Sequence, residues 1–224
     1  MSTYVNKAPT TPATPTRRSS AARVAAAASL AFAVTFFWTV ASIDVPHKAS
    51  DPKLLDWWQQ GANLNSALAS EFFAVATGIL MLVIVNHLIA LAPERDRWAG
   101  FVTSMATVFA STMLISAALR GVIAHQVKRF EEPLPSVDVL RYSTGLNYTV
   151  IGSVGMTAFA LTVIAVSVLV LRTHILATWM AYVGLGCGAV VAVAVAAMYG
   201  TFTVPIAILW ALSMTVAIWR QPAS

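Results

Sequence analysis

Residues 70–98, "SEFFAVATGILMLVIVNHLIALAPERDRW", decide the fold. From Phe72 to Ala92 there is no Asp, Glu, Lys or Arg, and roughly 20 such residues wound as a helix cross the ~30 Å hydrocarbon core of a bilayer. The run ends at Pro93 and the cluster Glu94, Arg95, Asp96, Arg97 and Trp98. That cluster reads as a short turn at a membrane surface, with arginines and an indole at headgroup level. Glu71 near the start of the run, and Asn86 and His87 before its end, are the polar exceptions. Polar groups inside hydrocarbon are costly and turn toward protein partners.

Five further apolar runs surround this one. The six predicted spans cover about 23–43, 67–92, 99–120, 148–171, 175–198 and 202–219. The expected fold is therefore all-α, an integral membrane bundle of six transmembrane helices over residues 21–220. Of the 224 residues, 58% are hydrophobic and 10% charged, against about 25% charged in a soluble domain. Residues 1–20 hold Pro9, Pro12 and Pro15 among many Ser and Thr, without apolar periodicity, and are expected to form a disordered cytoplasmic tail. The apolar run after Arg23 has about 19 residues, longer than the 7–15 of a cleaved signal, and is expected to remain as the first span.

A net charge of +5 comes without a basic cluster interleaved with aromatics, which excludes a nucleic-acid surface. In a membrane protein the basic excess reports threading instead. With the N-terminus inside, the inner side carries Lys7, Arg17, Arg18, Arg23, Arg95, Arg97, Arg172 and Arg220, and the outer side Lys48, Lys53, Arg120, Lys128, Arg129 and Arg141. Eight against six, with the inner arginines close to span ends, places both termini in the cytoplasm of a bacterial-type plasma membrane. Trp57 and Trp58 then fall at the outer interface, Trp98 and Trp219 at the inner one, and Trp210 in mid-span as a packing residue.

Two outer segments have room for more than a turn. In 43–66, Asp51 as N-cap, Pro52 in the first turn, and Leu54, Leu55 and Trp58 on one face predict a short interfacial helix. In 120–147, Pro133 and Pro135 mark a break, and span 3 is expected to continue past Arg120 before it.

On a wheel of about 100° per residue, Glu71, Ala74, Gly78 and Asn86 share one face of span 2, with His87 roughly opposite. In span 3, Thr112, Ser116 and Arg120 form a stripe at i, i+4 and i+8, and Ser104, Thr107 and Ser111 a second. Glu71 and Arg120 both lie at the outer ends of neighbouring spans, so an ion pair is expected between them. Glu71, Asn86, Thr112, Ser116 and Arg120 are the candidate intramembrane polar contacts, and the lining of any polar cavity between spans 2 and 3. Gly184 and Gly188 form a GxxxG face suited to packing within the bundle or to a homo-oligomer or membrane partner.

No catalytic, cofactor-binding or metal-binding residues are assigned. HExxH, Walker and GxSxG patterns are absent, and Cys187 is the single cysteine. His87 and His174 on the inner side with His47 and His125 on the outer side imitate two layers of haem ligands, yet three of the four fall in loops or at span edges. Three functional classes follow. A non-enzymatic protein of structural, sensory or partner-binding type leads. A small-solute or ion transporter using the polar stripe is the alternative, and a haem-bearing redox protein the remote one.

Residues 169–191, "LVLRTHILATWMAYVGLGCGAVV", supply a resemblance. Arg172, Thr173, Leu176, Trp179 and Gly184 match a span–turn–span pattern, with Ala177-Thr178 replacing the usual Pro-Arg. The segment resembles small bacterial six-transmembrane-helix proteins grouped as a domain of unknown function. The resemblance implies the six-span plan and supplies no activity or site.

Overall fold

The computed structural model describes residues 20–42, 44–46, 48–93 and 97–221. The predicted tail up to Ser19, His47, and Glu94, Arg95 and Asp96 of the predicted inner turn lie outside them. The described chain forms α1 (Ser20–Ala41), α2 (Asp51–Gln59), α3 (Gly61–Leu91), α4 (Arg97–Arg129), α5 (Val137–Thr149), α6 (Met156–Thr173), α7 (Thr178–Ala196) and α8 (Val204–Trp219). A π-helical turn, Val150–Gly155, joins α5 to α6, and a 3₁₀ turn, Gly200–Thr203, leads into α8. Six helical units are long and apolar enough to cross a membrane: α1, α3, α4, α5 with α6, α7, and α8 with its leading turn. The expected all-α six-span bundle is the fold.

Each span packs on the next in chain order, and α8 returns to α1, closing a ring. Its centre is filled by Phe32, Phe36, Phe109, Phe159 and Trp210, all fully buried, with ring centroids 5.5–6.4 Å apart. These rings come from α1, α4, α6 and α8 and leave a plug where a pore would run.

Helices in lipid gain little from burying apolar surface against one another, so close backbone approach and hydrogen bonds hold them. A Cβ on Gly78 would lie 3.1 Å from the Ala110 carbonyl oxygen, and one on Gly200 only 1.8 Å from that of Gly152. Gly184 and Gly188 face Ser167 and Ile164 of α6 in the same chain. Ser29 Oγ donates to the Ala211 carbonyl at 2.8 Å, tying α1 to α8, and Thr77 Oγ1 donates to Thr35 Oγ1 at 3.0 Å, tying α3 to α1.

A second, smaller core caps one end of the bundle. It consists of Val45, Leu54, Trp58, Leu64, Ala67, Ile123, Ala124 and Leu140. α2 forms where the Asp51-Pro52 signal predicts it, with Ser50 rather than Asp51 as its N-cap. Its apolar face, Leu54 and Trp58, covers protein, and its start is held by Arg141, which donates to the Ala49 carbonyl at 2.8 Å and pairs with Asp51 at 2.6 Å. Segment 120–147 is mostly helical, because α4 continues to Arg129 and α5 begins at Val137. We call this end the capped face and the opposite end, where α1 begins and α8 finishes, the terminal face.

Candidate functional site

The polar stripe of α4 converges beneath the cap. Thr112, Ser116 and Arg120 are all buried, and Arg120 is 5% exposed. Thr112 spends its hydroxyl on its own helix, donating to the Val108 carbonyl at 2.8 Å, while its methyl faces Gly155 of the π turn. Arg120 Nε donates to Ser116 Oγ at 3.3 Å, and Ser116 Oγ in turn donates to Asn147 Oδ1 at 2.7 Å. Arg120 Nη1 donates to the Thr39 carbonyl and to Ser70 Oγ, and Ser70 Oγ donates to the same carbonyl at 3.0 Å.

This network has a physical logic at the end of α1. The last four carbonyls of a helix lack partners within it and carry the negative end of its dipole. Thr39 supplies one of them, and a guanidinium from α4 serves it in trans. One side chain thereby joins α1, α3, α4 and, through Ser116, α5.

The expected Glu71–Arg120 pair is not formed. Glu71 Oε2 lies 2.9 Å from His125 Nε2 instead. The buried positions of α3 include Ala67, Ser70, Ala74, Thr77, Gly78, Met81, Val85 and Leu88, which centre the packed face between Ser70 and Ala74. Ser70 therefore meets Arg120, and Glu71, about 100° further round, slides to the edge against Gly121 and His125. There the carboxylate occupies the space a Cβ of Gly121 would need, 2.0 Å from Oε2. Asn86 departs further from expectation: it is exposed, because it falls well over 120° from the centre of that face. Of the five predicted residues, three form one buried stripe, Glu71 sits one helix edge away, and Asn86 belongs elsewhere.

Sequence reasoning missed Thr39, Ser70, Thr144, Asn147, Tyr148 and Asp44. The Thr144, Asn147 pair at i and i+3 after Leu140 is the available signal for α5, which lies in a charged segment outside the predicted spans.

Between the ends of α1 and α5 and the Arg120 turn of α4 lies a cavity of about 340 Å³. Its polar lining is Asp44, Arg120, Thr144, Asn147 and Tyr148, and Val40 and Val45 contribute an apolar wall. Arg120, Thr144 and Asn147 are buried, Tyr148 is half-buried, and Ala41 and Asp44 are exposed at the mouth. Nη1 and Nε of Arg120 are taken up by the network, and no described residue accepts a hydrogen bond from Nη2. Among the described residues Glu71 contacts His125 and Asp51 pairs with Arg141, so Asp44 and Arg120 share the cavity without closing on each other. Tyr148 is within electrostatic reach of both.

A shallower groove of about 590 Å³ runs beside the Glu71–His125 pair, with Gln126 and Glu132 along it. Gln126 Nε2 donates to Glu132 at 2.9 Å.

No known family, characterised protein or solved structure matches the chain. Among the described residues no three His, Cys, Asp or Glu side chains converge as a metal site would require. His125 is engaged by Glu71, His174 is exposed at the end of α6, and His87 is half-buried toward the terminal face. The cavity offers a fixed cation deep inside, an amide and hydroxyls along its wall, and a carboxylate at its rim. Such a set can bind and orient a small polar molecule.

Proposed function

We propose that the chain is a non-enzymatic, multi-pass plasma-membrane protein of sensory or partner-binding type that takes a small ligand from the capped face into the pocket over Arg120. One observation carries this reading: a buried guanidinium, without an acidic partner among the described residues, is braced by neutral acceptors through Nε and Nη1 and lines a cavity. Burying a charge without a counter-charge costs several kcal/mol, a cost a ligand can offset. Binding sites for small molecules are concave and mostly apolar, with a few converging polar groups in roughly 300–1,000 Å³.

The aromatic plug favours binding over passage. A solute entering at Asp44 would meet Phe36 about one helical turn deeper than Thr39, and the five buried rings fill the centre from there. Spans 2 and 3, between which a transport cavity would lie, meet with Gly78 on the Ala110 backbone. The bias of basic residues supports placing the capped face outside the cell and both termini in the cytoplasm. The likeness of residues 169–191 to small bacterial six-span proteins belongs to the same proposal.

A thermal-shift screen of the maltoside-purified protein against small polar metabolites tests the binding reading. Ala41→Trp, at the exposed mouth and outside the Arg120 network, is the companion variant. Compounds that raise the wild-type unfolding temperature but not that of Ala41→Trp are expected. A screen without stabilising compounds, or stabilisation that survives the blocked mouth, would overturn it.

A further inference from the structure

We propose that the pocket selects a zwitterion, with its anionic group on Arg120 Nη2 and its ammonium group at Asp44. The inference rests on the reading that the pocket binds a ligand, and adds the class of that ligand. Two opposite charges line one cavity of about 340 Å³, yet they do not pair. Arg120 is fixed: three of its donor hydrogens are committed to Thr39, Ser70 and Ser116, so it cannot swing out to the rim. Asp44 is exposed at the mouth, on the segment that follows α1.

Each charge then rejects what the other attracts. A simple anion approaching Arg120 passes the Asp44 carboxylate, and a simple cation drawn to Asp44 gains nothing from the depth of the pocket, where Arg120 repels it. A molecule carrying both charges in the right order satisfies both, and specificity of this kind comes from the repulsive element as much as from the attractive one. At the anionic end, Nη2 donates in a charge-assisted bond, the stronger class of hydrogen bond. Asn147 and Thr144 line the same cavity, and Tyr148 stands within reach of both charges. The shared chemistry is a phosphate or carboxylate linked by a short chain to an ammonium group. It is found both in free metabolites and in the headgroup of an aminophospholipid, and the mouth opens at the end of the bundle where headgroups lie.

Binding to the intact protein in dodecyl maltoside is measured by calorimetry with phosphoethanolamine and β-alanine as zwitterions, inorganic phosphate and acetate as anions, and ethanolamine as cation. At least one zwitterion is expected to bind on the order of tenfold more tightly than its matching anion, and Asp44→Asn to reduce that ratio toward one. Ethanolamine is expected to bind weakest. Equal binding of zwitterion and anion by the wild type, or a ratio unchanged in Asp44→Asn, overturns the zwitterion assignment and leaves the pocket itself standing. If none of the five probes binds and Ala41→Trp alters no response in the wider screen, the binding reading falls as well. Phosphatidylethanolamine and phosphatidylglycerol added to the micelles separate the sources. Competition by the first lipid alone identifies a headgroup, and zwitterion binding without lipid competition identifies a free metabolite; both sustain the assignment.

Discussion

Ser70, and not its neighbour Glu71, receives the guanidinium of Arg120. The arginine therefore sits among neutral oxygens at the end of α1, and Glu71 turns to His125, 2.9 Å away. This division separates a clasp, which holds four helices, from a Glu71–His125 hydrogen bond at the edge of the cap. It also leaves the buried charge available to the cavity.

Arg120→Met should destabilise the bundle by about 2–5 kcal/mol, because hydrogen bonds to a charged group contribute about 1.5–3 kcal/mol each and their loss strands buried acceptors. Arg120→Lys should recover only part of it, since an ammonium lacks the planar fork that reaches Thr39, Ser70 and Ser116 together. Unfolding midpoints of the two variants check both; equal stability of Met and wild type would remove the clasp.

Gly121→Ala places a Cβ 2.0 Å from Glu71 Oε2. A loss of about 1–3 kcal/mol is expected from overpacking. The double variant Glu71→Ala, Gly121→Ala should be more stable than the sum of the single effects, which a double-mutant cycle measures.

The two faces of the bundle predict opposite outcomes for two asparagines. Asn147→Leu leaves the Ser116 hydroxyl without its acceptor at 2.7 Å and should cost about 1–3 kcal/mol. Asn86→Leu, at an exposed position of a membrane-spanning helix, should be neutral or stabilising. Thermal unfolding of both variants in the same detergent decides it.

Gly200 and Gly186 form a similar contrast. A methyl on Gly200 would sit 1.8 Å from the Gly152 oxygen, backbone against backbone, whereas Gly186 has nothing within 4 Å. Gly200→Ala is expected to lower the yield of folded protein sharply. Gly186→Ala should match the wild type or gain up to about 1 kcal/mol from its helix preference; chromatographic monodispersity and melting temperature report both.

Orientation is tested with cysteines on a Cys187→Ser background. Asp56→Cys on α2 should react with a membrane-impermeant maleimide on intact cells, and Thr178→Cys, at the start of α7, only after lysis. The reverse pattern would invert the proposed threading.

The six spans were legible in the sequence because bilayer thickness sets their length and lipid excludes charge. Which way each span faces was not. In a soluble helix apolarity marks the buried side, but Phe72 and Ile79 are as apolar as buried Met81 and Ile84 while remaining exposed, so lipid erases that contrast. Small and polar residues then carry the only signal, and taking Glu71 rather than Ser70 as its centre rotates the inferred face and misplaces Asn86. Thr112, Ser116 and Arg120 are buried together, because three residues at i, i+4 and i+8 fix a direction that one residue cannot. α5 was hidden by charge and by the two prolines before it, and with it went Asn147 and half of the pocket wall.

The π-helical turn at Val150–Gly155 acts as a gear change within a single span. Each extra residue in such a turn advances everything beyond it by about 100°, so the length that carries Thr144 and Asn147 and the length that carries Phe159 are phased independently. Deleting one residue between 150 and 155 would restore regular winding and swing Asn147 away from Ser116 while the membrane core below kept its teeth engaged.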